Sequence, residues 1–156
     1  MFKKILVCLD GSHLAEQILP YATDTALRFS SKLVMVQVIA PSTVLPEAET
    51  EEETPTHTDR RVAEKIQREE NEAKAYLERV AQPLRKRELD VECVTFEDTI
   101  DEGIVNYAEK NEVDLIAIAT HGRSGLGRSV FGSVSDFVLR KSGLPILVIK
   151  PRETKA

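Results

Sequence analysis

Chemistry in this 156-residue chain gathers at two places, Asp10-Gly11-Ser12 and the segment from Gly122 to Ser133. The chain has seven glycines, and Gly122, Gly125, Gly127 and Gly132 stand close together in the second of these. Glycine lets a backbone adopt positive φ and approach a ligand with no Cβ in the way. Ser124, Ser129, Ser133 and Ser135 add hydroxyl donors, and Arg123 and Arg128 add positive charge. Gly132-Ser133 is placed to open a helix, whose free amides and positive dipole end suit an anion. Phosphate binding is the direct physical reading. The alternative is a loop whose glycines merely make turns and whose Ser133 is only a helix cap.

Other nucleotide and catalytic motifs fail. There is no G-x-x-x-x-G-K-[ST], and Gly125-Leu126-Gly127 is followed by Val130 where a G-x-G-x-x-G needs its third glycine. No G-x-S-x-G nucleophile elbow is present. His121 adjoins the glycine segment but has no evident acid or nucleophile partner, so it reads as structural. His13 and His57 read as surface residues, and the three histidines lack metal-ligand spacing. Cys8 and Cys93 each sit in an apolar run and read as buried free thiols of a reducing compartment.

These residues need elements to position them. Ile5 to Leu9 is a continuous apolar run, as expected of a strand buried on both faces, and it ends at Asp10-Gly11-Ser12. From Ala15 to Phe29 apolar residues recur at helical spacing, with Pro20 predicting either a slight bend or a late start. Leu33 to Ile39 is a second strand. Residues 41–58 hold three prolines and the acidic run Glu47 to Glu53, so this stretch is expected to be a mobile surface loop. Thr58-Asp59 is placed to cap a helix striped by Val62, Ile66, Ala73, Leu77, Val80 and Leu84. Val91 to Phe96 is a third strand, and Thr99 or Asp98 caps a helix carrying Ile104, Tyr107 and Ala108. Val113 to Ala119, Val134 to Arg140 and Ile146 to Ile149 complete the chain as strand, helix and strand.

Regular alternation of strand and helix predicts a single-domain, Rossmann-like α/β fold: an open parallel five-stranded sheet with helices on both faces. The domain is expected to span residues 1–151, leaving 152–156 as a tail. In such sheets ligands bind beyond the carboxyl ends of strands where strand order reverses, and the strand ends at Asp10 and Ala119 are the candidates. A net charge of -5 argues against nucleic acid as a partner. No run is long enough for a membrane span, and the N-terminus has no leader core, so a cytoplasmic place is expected.

The segment Thr120-His121-Gly122-Arg123-Ser124-Gly125-Leu126, continuing to Phe131-Gly132-Ser133-Val134, resembles the signature of the universal stress protein family. Lys4 to Val7 with Leu9 to Ser12 resembles that family's first strand and turn, and Leu144 to Ile149 its last strand. The resemblance covers essentially the whole chain. It implies strand order 3-2-1-4-5. In the family's nucleotide-binding branch the pattern is G-x-x-G, nine residues, then G-[ST]. Gly122, Arg123 to Phe131 and Gly132-Ser133 match it, while Ala119 replaces the first glycine.

By that resemblance the ligand is ATP, and a related loop elsewhere in this fold class leaves open a Mg²⁺ ion shared with the phosphates. Asp10 would hold the ribose or reach toward phosphate, and Val38 would meet the adenine edge through its backbone. Cys8, Leu9 and Ile118 would line the base, and Gly122, Gly132, Ser133 and Val134 would wrap the phosphates, with Ala119 narrowing the pocket. Each has a plainer role to set beside this. Asp10 could cap the first helix, Val38 and Ile118 could be core, and Cys8 could be a small buried hydrophobe.

The expected function is nucleotide-dependent stress or regulatory binding, with any ATP hydrolysis slow and incidental. A nucleotide-free dimeric interaction module is the competing reading. An adenylating enzyme is disfavoured for want of a second domain or a lid helix bearing catalytic Lys or Cys. A homodimer through the strand Ile146 to Ile149 is implied, since an apolar edge strand needs cover.

Overall fold

A computed structural model describes residues 1–41, 55–120 and 132–153, with side chains in the second segment from residue 59 onward. The five strands are β1 (Lys4–Cys8), β2 (Lys32–Ile39), β3 (Val91–Glu97), β4 (Leu115–Ala119) and β5 (Ile146–Ile149). They form one parallel sheet in the order β3-β2-β1-β4-β5, as the alternation and the resemblance predict.

Strand β1 is central, and its run of apolar residues divides by the two-residue period of a strand. Ile5, Val7 and Leu9 join one core with Leu33, Met35 and Leu115, while Leu6 and Cys8 join the other with Val34, Val36, Val38, Ile116 and Ile118. Helices close both faces. The first core is covered by α1 (His13–Glu16), α2 (Leu19–Phe29) and α3 (Pro55–Arg85), through Ala15, Ile18, Ala22, Ala26, Leu77 and Ala81. The second is covered by α4 (Ile100–Lys110) and α5 (Ser133–Lys141), through Ile104, Val105, Ala108 and Val138.

β4 starts at Leu115 and not at the expected Val113, and three further departures from the sequence reading have a local cause. The single helix expected from Ala15 is two helices, because Ser12 caps a short first one and Pro20 lies in the first turn of the second. There its missing N–H would have had no intrahelical partner anyway. Pro20 therefore marks the late start. The acidic loop ends earlier than expected: residues 55–58 are already helical, so Thr58-Asp59 lies inside α3 and does not cap it. Proline read there as a loop residue is also a favoured first residue of a helix, and here it opens one. Residues 42–54 of the predicted loop lie outside the described residues. Thr99 takes the N-cap position of α4 without a side-chain cap bond, and Asp98 Oδ1 instead accepts the Thr99 N–H at 2.8 Å.

The topology makes the crevice. β1 connects to β2 across the first face through α1 and α2, and β4 connects to β5 across the second face through α5. The chain thus leaves β1 and its neighbour β4 in opposite directions, opening a gap at their carboxyl ends. Among the described residues no helix is long and apolar enough to cross a membrane. Beyond β5, the main chain of Arg152 is tied back to Gln17, whose Nε2 donates to the Arg152 carbonyl and whose Oε1 accepts its N–H, each at 2.8 Å.

Candidate functional site

A cavity of about 830 Å³ lies over the carboxyl ends of the strands. Cys8, Leu9, Asp10, Val38, Ile118, Ala119, Gly132, Ser133 and Val134 all line it. Gly122, with the rest of the glycine segment through Phe131, falls outside the described residues, as does His121. Residues from the beginning, middle and end of the chain thus meet at one place.

The cavity straddles both cores. Cys8, Val38, Ile104 and Ile118 form an apolar wall continuous with the core under α4 and α5. Burial pushes the Cys8 thiol up to about 12, so it is a neutral, unreactive part of that wall. Cys93 is half-buried on β3, where burial raises its thiol to about 11, and both cysteines are free.

Between the walls the edge of β2 stands open. β1 is paired only as far as Cys8 opposite Val36, and the Val36 carbonyl accepts the Leu9 N–H at 2.9 Å. Two residues further on, Val38 turns its main chain to the same side. There the chain has left the sheet at Asp10, so an amide donor and a carbonyl acceptor face the cavity.

Asp10 follows directly. Its Oδ1 accepts the Ser12 N–H at 2.8 Å and the Ser12 hydroxyl at 2.5 Å. The turn is tight because Gly11 has a φ of 85°, a left-handed conformation that a side chain would strain. Ser12 Oγ in turn accepts the Ala15 N–H at 3.1 Å and so caps α1. Asp10 itself does not cap the helix.

At the far side α5 begins. Gly132 occupies its N-cap position, and no side chain among the described residues caps the first turn. Ser133 is therefore the first helical residue and not the cap. The first-turn amides have no intrahelical acceptor, and they carry the positive end of the helix dipole. Ser135 is buried, and its Oγ donates to the Gly132 carbonyl at 3.1 Å, which fixes the helix entry.

The sequence reading did not foresee the other wall. Glu69, Glu72, Ala73 and Tyr76 of α3 line it, with Gln37 of β2, and on the apolar side Ile100 and Ile104 of α4 were equally unforeseen. Tyr76 donates its hydroxyl to Glu16 Oε1 at 2.9 Å, tying α3 to α1, and Arg79 lies 5.5 Å from its ring centre. Burial first, then the Glu16 hydrogen bond, raises the Tyr76 phenol well above its ordinary value, so it stays a donor. One signal for this wall was available: Gln37 is a lone polar residue in the apolar run Leu33 to Ile39. The α3 residues carry none, since only the crossover brings them to the strand ends.

Among the described residues no histidine lines the cavity, and no group of three His, Cys, Asp or Glu side chains could hold a metal. An apolar slot, an open strand edge, carboxylates and a helix N-terminus surround one space.

The sequence profile described as the universal stress protein family matches residues 1–150, and the chain belongs to that family. It is 29% identical over 152 residues to the universal stress protein MJ0531 of Methanocaldococcus jannaschii, covering 96% of this chain and 83% of that one. The solved structure of the hypothetical protein MJ0577, from the same organism, superposes with a TM-score of 0.82 at 27% identity, covering 99% of each chain. Two more distant structures share the fold. One is a universal stress protein in complex with cAMP (TM-score 0.64, 20% identity, 97% of this chain and 98% of that one). The other is an Arabidopsis thaliana family member with AMP bound (TM-score 0.60, 14% identity, 96% and 92%).

Proposed function

We propose that this protein binds ATP in the cavity at the strand ends and acts as a nucleotide-dependent regulatory protein of the stress response, without strong catalytic activity. One observation carries the reading. An apolar slot, the open main chain of Val38, the Asp10 carboxylate and the uncapped start of α5 converge on a single space large enough for a nucleotide. Adenine is apolar on its faces and bears donors and acceptors on its edge. It fits between Cys8, Val38, Ile104 and Ile118, with its edge on the Val38 main chain. The phosphates fall to Gly132, Ser133 and Val134, where free amides and the helix dipole favour negative charge. Gly122 would complete that wrap. Mg²⁺ would travel on the phosphate oxygens, keeping most of its waters.

The adenine nucleotides in the two distant relatives support the same class of ligand on this fold. Free thiols at Cys8 and Cys93 suit a cytoplasmic place. The open edge of β5 is the surface on which a second copy would pair.

A second reading rests on Ala119. It lines the cavity where the nucleotide-binding pattern has glycine, and its methyl group takes space there. On that reading the protein is a nucleotide-free dimeric module. Mass spectrometry of small molecules released from the denatured, freshly purified protein separates the two. Adenine nucleotide released in near-stoichiometric amount supports the first reading, and its absence supports the second.

A further inference from the structure

Asp10 is held in place by one neighbour. Ser12 supplies both hydrogen bonds to Asp10 Oδ1, at 2.8 Å from its amide and 2.5 Å from its hydroxyl. The same hydroxyl oxygen accepts the Ala15 N–H at 3.1 Å, so it cannot rotate away without uncapping α1. That helix is braced in turn, since Glu16 at its end accepts the Tyr76 hydroxyl of α3 at 2.9 Å. The carboxylate is thereby fixed with one oxygen satisfied. Its Oδ2 receives no hydrogen bond from any described residue, on a side chain that lines the cavity.

An anionic oxygen in that position accepts a hydroxyl and repels a phosphate. A ribose offers two adjacent hydroxyls, and a deoxyribose offers one. Resting on the reading that the cavity takes an adenine nucleotide, we propose that Ser12 is a positioning residue that sets the preference for ribose over deoxyribose, by holding Asp10 Oδ2 toward a sugar hydroxyl. Ser12 acts through Asp10 and does not itself touch the ligand. Removing its hydroxyl leaves only the main-chain bond to Oδ1, about which the carboxylate can swing. Discrimination is then lost before binding is.

The test is titration calorimetry of the full chain with ATP, 2′-deoxy-ATP and 3′-deoxy-ATP, for the wild type and for Ser12→Ala, Ser12→Gly and Ser12→Thr. A hydrogen bond to a charged group predicts that the wild type favours ATP over at least one deoxy analogue by roughly ten-fold or more. In Ser12→Ala and Ser12→Gly that ratio falls to about two or below, and Ser12→Thr, which keeps the hydroxyl, restores it. Glycine is tolerated at an N-cap position, so Ser12→Gly keeps the test open if the alanine variant does not fold. A wild-type ratio near one overturns the proposal. So does an unchanged ratio in the variants, even if every affinity falls, because that is the mark of a structural role alone. Failure of the wild type to bind any of the three overturns the nucleotide reading itself.

Discussion

On the α4 and α5 side the cavity is walled by Cys8, Val38, Ile104 and Ile118, each at most 9% exposed and each part of a packed core. On the α3 side it is walled by Gln37, Glu69, Glu72 and Tyr76, of which only Tyr76 belongs to the opposite core. The contrast assigns different work to the two sides. Under the proposed function the apolar side would exclude water and give the base a contact area with no polar group to leave unpaired. The α3 side presents carboxylates, which on that proposal would disfavour phosphate and turn it toward the start of α5. One fold would thus supply both an attraction for the proposed base and a direction for its charged end.

The contrast can be broken most severely at the phosphate end. Gly132→Trp puts an indole at the mouth of α5 and should weaken ATP binding by about 100-fold or more, the scale of losing several charge-assisted hydrogen bonds. Its thermal melt should stay close to that of the wild type, because Gly132 precedes the helix. Binding that survives this substitution would remove α5 from the site.

The apolar side can be broken through Gly103. A Cβ there would lie 3.0 Å from Asp98 Cβ, 3.1 Å from Phe96 Cε2 and 3.2 Å from Val38 Cγ1. Gly103→Ala should therefore destabilise the fold by about 1–2 kcal/mol in denaturant titration, the overpacking cost exceeding alanine's helix preference. ATP affinity should fall with it as Val38 is displaced. An unchanged or raised stability would show that α4 yields easily and does not fix the slot.

The α3 side should respond in the opposite direction. Glu69→Gln with Glu72→Gln removes two negative charges from the wall, and ATP should bind about two-fold tighter at low salt, the gain fading at high salt. Weaker binding would mean that these carboxylates hold the ligand. Smallest of all, Ala119→Gly should leave ATP affinity unchanged or slightly raised, which equilibrium dialysis can resolve. A clear loss would show that the methyl group is a contact.

The same contrast marks what was legible in the sequence. Ile5 to Leu9 and Ile146 to Ile149 announce themselves as strands because both of their faces are buried or half-buried, leaving no polar positions to blur the pattern. Asp10 and the α5 start came through family motifs that are continuous in sequence, and Cys8, Val38 and Ile118 through what that resemblance implies, whereas Ile104 of the apolar wall was read only as a helix residue. The α3 wall came through neither. Glu69, Glu72 and Tyr76 belong to a helix whose charged residues look like any solvated surface, and only the crossover from β2 to β3 brings them over the strand ends. The start of α3 was hidden for a related reason, since Pro55 signals a loop or a first helical turn equally well.

The central claim is that this cavity takes ATP. Isothermal titration of the nucleotide-stripped protein with ATP and Mg²⁺ tests it most directly. Heat that saturates at one nucleotide per chain, and is lost in Gly132→Trp, is the result predicted. An absence of heat up to high micromolar ATP would contradict it.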